Sequence, residues 1–376
     1  MESFAIALQT KIPVLLSGAP GCGKTSHVYS LCDGMGMPLE VVIASIREPS
    51  DFGGLPVVGD GGVTLAAPAW AKRLHALNGS EHSLNALQDK ALRTGVRGVL
   101  FIDEITTAPP AVQAALLRVV LDRVVGDLAL PDCISIVAAC NPPEQAAGGW
   151  ELSPPLANRF VHLSFPLDVQ QWVDGFVGGW ASSRKARRLP ESWADAVPQQ
   201  KALVAAFIRS RPELLLKVPS VESESAGAWP SPRTWDMASI MLGACAAAGA
   251  SEEARMQLVC GCVGNGPGGE LLTYLDELDL PDPEKLLADP KSFKLPDRGD
   301  QQFAVLASVA AAAVGKLTAE RWMAAWTVMA AAAKAGAVDV AAGAARNLAN
   351  HLKDGLPIPT SQLTPFVPLL KAAGLM

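Results

Sequence analysis

The sequence has no uninterrupted apolar run long enough to cross a membrane. Its two longest apolar runs, residues 303–315 and 322–333, end at Lys316 and Lys334, whereas a membrane-spanning helix needs about 20 residues. Both runs are therefore predicted to be buried helices. No basic segment precedes the first apolar residues of the chain, so we expect no signal peptide and a cytoplasmic protein.

Cysteine and histidine are too scattered to suggest a metal site or a disulfide framework. The seven cysteines are an odd number without framework spacing, which favours reduced thiols in a cytosolic protein. Cys260 and Cys262 are the only close pair, and no second Cys or His pair stands nearby to complete a tetrahedral zinc site. The five histidines have no nucleophile or ligand partner at a useful spacing.

An excess of positive charge is also lacking. The formal net charge is −6, and counterion release from a nucleic acid requires a basic face. A general nucleic-acid clamp is therefore disfavoured. The one basic cluster, residues 184–188, is interpreted as a solvated helix end or an inter-subunit surface, and a phosphate-backbone contact stays open as the alternative.

The first part of the chain alternates short apolar segments with helical ones, which is typical of an α/β domain. Strands are predicted at residues 12–17, 39–44, 98–102, 134–140 and 161–165. Helices are predicted at 24–35, at 69–77 and from Pro109-Pro110 onward, the last with an apolar stripe of Val112, Leu116, Val119, Val120 and Val124. The glycines around Asp60 predict a hairpin turn. From Asp168 onward helical patterns dominate.

A phosphate-binding loop is predicted between the first strand and the first long helix. Residues 17–26 read SGAPGCGKTS and contain the pattern G-x-x-x-x-G-K-[ST]. Glycines let backbone N–H groups face phosphate oxygens, and the helix N-terminus adds a favourable dipole. The predicted nucleotide-binding residues are Gly18, Pro20, Gly21, Cys22, Gly23, Lys24, Thr25, Ser26 and, from a later strand, Asp103.

The predicted cofactors are ATP and Mg²⁺. Lys24 is expected to reach the β- and γ-phosphates, and the Thr25 hydroxyl is expected to ligate Mg²⁺. Cys22 is interpreted as a small residue at a variable position. Its alternative is a thiol activated by the helix N-terminus and Lys24, which would make nucleotide binding sensitive to oxidation.

Two carboxylates predict that the nucleotide is hydrolysed and not only bound. Asp103 and Glu104 directly follow four apolar residues of a strand expected in the middle of the sheet. The first carboxylate can hold the magnesium ion, so Thr25 and Asp103 form the predicted metal site. The second can orient or deprotonate the attacking water.

Taken together, these motifs resemble an AAA+ ATPase, and several details resemble its MoxR family, which carries an insert at helix 2. The resemblance rests on the Walker A loop, on the Walker B run 99–104, on the strand end 138–143, and on the segments 47–56, 103–117 and 156–160. It covers roughly the first 165 residues, and residues 231–233 extend it weakly. One departure is Thr107, where many relatives carry a basic residue.

The resemblance implies an α/β fold with a P-loop AAA+ core, a parallel five-stranded sheet and a hairpin insert, followed by a helical lid and a helical C-terminal tail. The corresponding segments are a nucleotide-binding core at 1–166, a helical connector and loop at 167–230, and a helical lid and C-terminal region at 231–376.

Four further roles follow from the resemblance. Asn141 would be sensor 1, Arg159 the arginine finger offered to a neighbouring subunit, and Arg233 the sensor 2 residue. The hairpin at 53–65 would face a pore or a client protein. From the residues alone, Asn141 could instead be a turn residue, Arg159 a surface ion pair, and Arg233 a helix-start residue without a ligand. Whether Arg233 acts on its own subunit or on the next one stays open.

The function implied is that of a ring-forming ATPase, expected as a hexamer, that acts as a chaperone-like remodelling factor on a protein client. Relatives often work with a partner that carries a von Willebrand factor A domain. The alternative is an ATP-gated assembly scaffold with little turnover. A GTPase is disfavoured because the guanine-reading motif Asn-Lys-x-Asp is missing, and a small-molecule kinase is disfavoured because the long helical tail suits a lid better than an acceptor site.

Overall fold

A computed structural model of the chain describes residues 2–59, 62–77, 95–142, 145, 149–178, 188–353 and 355–375. The chain forms two compact units. Unit 1 comprises Met1–Glu191 and Leu216–Gly268, and unit 2 comprises Ser192–Leu215 and Gly269–Met376.

The strands of the described residues all lie in unit 1. They are β1 (Val14–Ser17), β2 (Leu39–Ile43), β3 (Leu55–Gly59), β4 (Gly62–Ala66), β5 (Gly98–Asp103), β6 (Val124–Val125), β7 (Leu128–Ala129), β8 (Ile134–Cys140) and β9 (Val161–Ser164). Five of them form a parallel sheet in the order β2-β5-β8-β1-β9. The predicted five-stranded parallel sheet is confirmed, and every predicted strand lies within two residues of the observed one.

The helices of the described residues follow the predicted rhythm and then dominate the C-terminal part. They are α1 (Glu2–Gln9), α2 (Lys24–Met35), α3 (Ser50–Gly53), α4 (Ala69–His75), α5 (Pro110–Asp122), α6 (Pro154–Ala157), α7 (Val169–Gly178), α8 (Val197–Ser210), α9 (Glu222–Ser225), α10 (Pro232–Ala248), α11 (Glu252–Val263), α12 (Asn265–Glu277), α13 (Pro283–Ala288), α14 (Gly299–Gly315), α15 (Ala319–Lys334), α16 (Val338–Asn350), α17 (Thr360–Leu363) and α18 (Val367–Ala372).

The strand order brings three chain segments to one edge of the sheet. β8 lies between β5 and β1, with Ile102 beside Ala138 and Ser17 beside Cys140. Because the strands are parallel, their carboxyl ends meet at the same edge. The phosphate loop after β1, the end of β5 and the first residue after β8 are therefore neighbours.

The insert between β2 and β5 contains the predicted hairpin. β3 and β4 pair in antiparallel fashion, and most of their side chains are exposed. Val58 and Val63 are cross-strand partners and remain 83% and 66% exposed. Asp60 and Gly61, which belong to the predicted turn, lie outside the described residues.

The predicted apolar stripe of α5 is wrong at its last position. The helix ends at Asp122, Arg123 adopts a left-handed conformation with φ 55, and Val124 begins the short strand β6. The Arg123 guanidinium donates to the carbonyl oxygens of Pro131 and Ile134. These bonds tie the helix end to the start of β8, so a tertiary contact overrides the helical pattern.

The compact units do not coincide with the three segments expected from the sequence. α10 and α11 lie within the expected lid segment, yet they belong to unit 1 because they pack on α1, and α11 also packs on β9. The three-part division stays a prediction about functional segments.

Unit 2 has a helical core of its own. The rings of Trp322 and Trp326 meet edge to face with centroids 5.9 Å apart, and Phe366 packs against Trp326 at 6.2 Å. The two longest apolar runs form the buried parts of α14 and α15, as predicted. Among the described residues, none of the helices combines the length and the apolar character needed to span a membrane.

α11 approaches the sheet so closely that one position requires glycine. A Cβ atom at Gly261 would lie 2.4 Å from the carbonyl oxygen of His162 in β9, which is closer than atoms can approach without a shift of the backbone. Gly266, near the start of α12, would place a Cβ atom in open space.

We predict that Gly261→Ala lowers the free energy of unfolding by about 1–3 kcal/mol, the usual cost of overpacking. Gly266→Ala is the matched control and should raise it by about 0.4–1 kcal/mol, since alanine restricts the unfolded chain. Urea unfolding monitored by circular dichroism measures both changes. Equal stability of the two variants would contradict the close approach.

Candidate nucleotide-binding site

The phosphate loop takes its shape from its glycines. Gly21 and Gly23 have φ values of 75 and 95, which side-chain-bearing residues rarely adopt. The N–H of Gly18 donates to the carbonyl oxygen of Cys140 over 3.3 Å, which fastens the loop to the end of β8. α2 begins at Lys24, so the N–H groups of its first turn have no helical partner and are available to an anion.

Lys24 is a buried cation whose hydrogen-bond partners are neutral. Only 8% of the residue is exposed. Its Nζ donates to the carbonyl oxygens of Gly18 at 2.6 Å and Ala19 at 3.1 Å, and to Oδ1 of Asn141 at 2.9 Å. These acceptors satisfy the ammonium without neutralising it, so its charge can still attract phosphate oxygens.

Thr25 and Asp103 meet at the same edge of the sheet. Thr25 Oγ1 donates to Asp103 Oδ2 over 2.9 Å, and the other carboxylate oxygen accepts the N–H of Glu104 over 3.0 Å. A hydroxyl and a carboxylate are hard oxygen ligands of the kind that Mg²⁺ prefers. Within the described ranges, His, Cys, Asp and Glu side chains do not gather in groups of three that could cage a metal. The pair therefore fits Mg²⁺, an ion that takes its remaining ligands from water and substrate phosphates.

Glu104 is held in an unusual backbone conformation and by an unexpected partner. Its φ is 57, which costs a residue with a side chain about 1–3 kcal/mol. The Ser45 hydroxyl donates to Glu104 Oε2. Ser45 follows β2, the strand beside β5, and sequence reasoning missed it because a serine after a strand carries no motif.

Asn141 directly follows β8 and reaches the phosphate loop. Its Oδ1 accepts the hydrogen bond from Lys24, which joins the end of β8 to the start of α2. The structure thus brings Lys24, Thr25, Asp103 and Asn141 together, with Glu104 beside Asp103. The sequence assigned these five residues to one site.

Arg159 and Arg233 form a second group. Among the described residues, no hydrogen bond joins either arginine to the residues around Lys24. Arg159 donates to the carbonyl oxygen of Pro155, and its buried Nε has no hydrogen-bond partner in the part of the chain that the structure describes. Burial lowers the pKa of Arg159, and the positive charge of Arg233 acts in the same direction, opposed by Asp122. Arg233 is exposed in the first turn of α10.

Asn158, a buried residue to which the sequence gave no role, directly precedes Arg159. Its side chain contacts Trp229 and Ser231, just before α10. Its place in the segment 156–160 was the one signal, and the family resemblance of that segment assigns a role only to Arg159.

Cys22 and the basic cluster at residues 184–188 are the remaining candidates from the sequence, and their roles stay predictions. Cys22 is half-buried, with its Sγ 4.0 Å from Lys24 Nζ. Arg188 donates to the carbonyl oxygen of Met35 at the end of α2. The other basic residues of its cluster, Arg184, Lys185 and Arg187, lie outside the described residues.

The parallel sheet, the glycine loop and the Thr25–Asp103 pair define a P-loop nucleotide-binding domain. The comparison with protein families is more specific. Residues 14–165 match the model of the ATPase family associated with various cellular activities (AAA). The match covers less than half of the chain, and this segment is an AAA family domain.

No curated protein matches the chain in amino-acid sequence. Among solved structures, the chain is similar to a candidate ATPase from Cytophaga hutchinsonii, with 15% identity and a TM-score of 0.42, over 75% of this chain and 89% of that one. It is also similar to a full-length MCM homolog from Methanopyrus kandleri, with 16% identity and a TM-score of 0.35. That match covers 73% of this chain and 53% of the homolog, about half of its length.

His27 lies in α2, the helix that follows the phosphate loop, and packs against two phenylalanine rings. Its ring lies 5.9 Å from that of Phe4 and 5.4 Å from that of Phe165. Burial lowers the pKa of His27 to about 4, well below the ordinary value of 6.5 for a histidine. The unfolded chain therefore binds a proton at this residue more readily than the folded chain does.

We predict that His27 contributes stability above pH 6.5 that is lost as the pH falls towards 4. Between pH 7.5 and pH 4.5, His27→Gln should lose less of its free energy of unfolding than the parent does. Urea unfolding at both pH values measures the difference, with His351→Gln as the control. The same pH dependence in the parent and in His27→Gln would show that His27 is not responsible.

Proposed function

We propose that this protein is a Mg²⁺-dependent ATPase of the MoxR type that assembles as a ring, expected as a hexamer, and remodels a protein client or partner. The observation that carries the proposal is the cluster at the carboxyl edge of the sheet. There Lys24 bonds to Asn141, Thr25 bonds to Asp103, and Glu104 stands next to Asp103. A protein that only bound ATP would not need an exposed carboxylate at that place.

Each residue of the cluster has a chemical task in this proposal. The phosphate loop and Lys24 hold the β- and γ-phosphates, and Thr25 with Asp103 would hold Mg²⁺. The ion would neutralise charge on the phosphate oxygens as the terminal phosphate is transferred to water. Glu104 orients or deprotonates that water, and Asn141 positions it against the γ-phosphate.

Arg159 and Arg233 would complete the site of a neighbouring subunit. Two guanidinium groups whose charges act on one another are favoured by a shared anion, and the buried Nε of Arg159 lacks a partner. Within the described residues, neither arginine is hydrogen-bonded to the phosphate-binding residues of its own chain. This supports a role for both in trans, which makes assembly a condition of turnover.

The hairpin of β3 and β4 is the proposed contact with a client or pore. Its exposed valines, Val58 and Val63, form an apolar pair on one face, and exposed apolar surface of this kind commonly marks a binding site.

A partner with a von Willebrand factor A domain is proposed from the family resemblance alone. The seven cysteines are unpaired, which supports the cytoplasm as the proposed location.

We predict that Arg159→Ala lowers the ATPase rate by about 10³-fold or more while assembly is retained. Arg73→Ala, which removes an exposed arginine paired with Glu40, is the matched control and should stay within about twofold of the parent. Mixing Arg159→Ala with Lys24→Ala tests the trans arrangement. The mixture should regain activity, because intact phosphate loops then meet intact arginines. An assembled Arg159→Ala protein with a rate within about twofold of the parent would refute the assignment.

We also predict that ATP promotes assembly and that Glu104→Gln, which should bind ATP without splitting it, holds the assembled state. Size-exclusion chromatography with light scattering, with and without ATP, measures both proteins. A strictly monomeric protein in every condition would remove the ring and the trans mechanism. ATP-dependent assembly with equal turnover in the parent and in Glu104→Gln would favour the scaffold alternative.

A further inference from the structure

A buried amide joins the two segments that carry Arg159 and Arg233. Asn158 is 3% exposed and Ser231 is 6% exposed. The Ser231 hydroxyl donates to Asn158 Oδ1 over 2.8 Å, and Asn158 Nδ2 donates to the carbonyl oxygen of Trp229 over 3.2 Å. A single side chain therefore holds both the residue that caps α10 and the backbone just before it.

The contacts at Ser231 fix the first turn of α10. Ser231 is the N-cap of the helix, and its hydroxyl accepts the N–H of Thr234 over 3.2 Å. The Thr234 hydroxyl in turn accepts the N–H of Ser231 over 2.8 Å, which completes a capping box. Arg233 lies inside this turn, so its backbone position is set by the cap. The cap is tied to Asn158, and Asn158 directly precedes Arg159.

The two arginines need such a tie because they repel one another. Burial is the main cause that lowers the pKa of Arg159, and the positive charge of Arg233 lowers it further. Separation of the two segments would therefore relieve an unfavourable interaction. A neutral amide opposes that separation with two hydrogen bonds. An acidic side chain at the same place would neutralise the arginines and compete with a phosphate for them.

We propose that Asn158 is a positioning residue that holds Arg159 and Arg233 at the spacing needed to bind one phosphate group together. The inference rests on the proposed function, because it takes the two arginines as the cations that complete an ATP site. Asn158 itself touches no phosphate. It acts through the cap of α10 and through its covalent neighbour Arg159.

The test compares four variants with the parent. Asn158→Ala removes both hydrogen bonds of the amide. Ser231→Gly removes one of them together with the cap bond from the Thr234 N–H, although glycine remains a tolerated N-cap. Ser231→Thr keeps the hydroxyl and should rescue. Gln9→Ala is the control, since Gln9 is an equally buried amide that donates to the carbonyl oxygen of Ala5 and accepts the N–H of Leu189.

Two readouts are measured on the assembled protein. Hydrogen exchange, read by mass spectrometry over residues 229–240, should become about tenfold faster in Asn158→Ala and in Ser231→Gly, because the first turn of α10 loses its tie. Their kcat for ATP should fall roughly 10- to 100-fold, since small displacements of catalytic groups cost about that much. KM should stay within about twofold, and Gln9→Ala and Ser231→Thr should keep both the parent's exchange rate and its kcat.

The outcomes separate this inference from the proposed function. Unchanged exchange in Asn158→Ala and in Ser231→Gly would overturn the tie whatever the ATPase rate. Faster exchange with an unchanged kcat, in a protein that Arg159→Ala inactivates, would overturn the positioning role and leave the proposed function standing. An assembled Arg159→Ala protein with full activity would overturn the proposed trans mechanism and this inference with it. If Asn158→Ala does not fold, the pair Ser231→Gly and Ser231→Thr decides the question.

Discussion

The hydrogen bond between Lys24 and Asn141 depends on the register of two parallel strands, and the candidate site depends on that bond. β1 and β8 run side by side with Ser17 opposite Cys140, so the chain leaves both strands at the same level of the sheet. The N–H of Gly18 bonds to Cys140 at this point. A shift of one residue would turn every side chain of a strand to the opposite face, and the amide of Asn141 would no longer reach the ammonium.

The positive charge of Lys24 is satisfied by neutral hydrogen-bond acceptors and is not neutralised by them. Lys24 is buried, and an unsatisfied buried charge would be costly, yet its partners are carbonyl and amide oxygens. Asn158 likewise joins the two arginine segments through a neutral amide and adds no charge beside them. At Lys24 the chain thus satisfies the hydrogen bonds of the ammonium without cancelling its positive charge. A preorganised environment of this kind stabilises an anion that arrives later.

Local chemistry explains which features could be predicted. The apolar strands, the glycine loop and the carboxylates at the end of β5 are contiguous in sequence, so Lys24, Thr25 and Asp103 could be assigned before any fold was known. Ser45 and Asn158 could not be assigned, because each acts through a partner distant in sequence, at separations of 59 and 73 residues. The prediction failed at Val124 for the same reason, since the contacts of Arg123 with the start of β8 end the helix two residues early.

In the proposed function, the two groups of residues divide one reaction between them. The first group would hold phosphate, metal and water, while the second would offer two cations that, within the described part of the chain, make no hydrogen bond to the first. In the proposed ring, hydrolysis is coupled to assembly because the charge needed in the transition state comes from another subunit. Since α10 carries Arg233 and packs on α1 and α11, a displacement of that helix would move a catalytic charge. The tie through Asn158 would pass the same displacement to Arg159, so that both cations leave or enter the neighbour's site together.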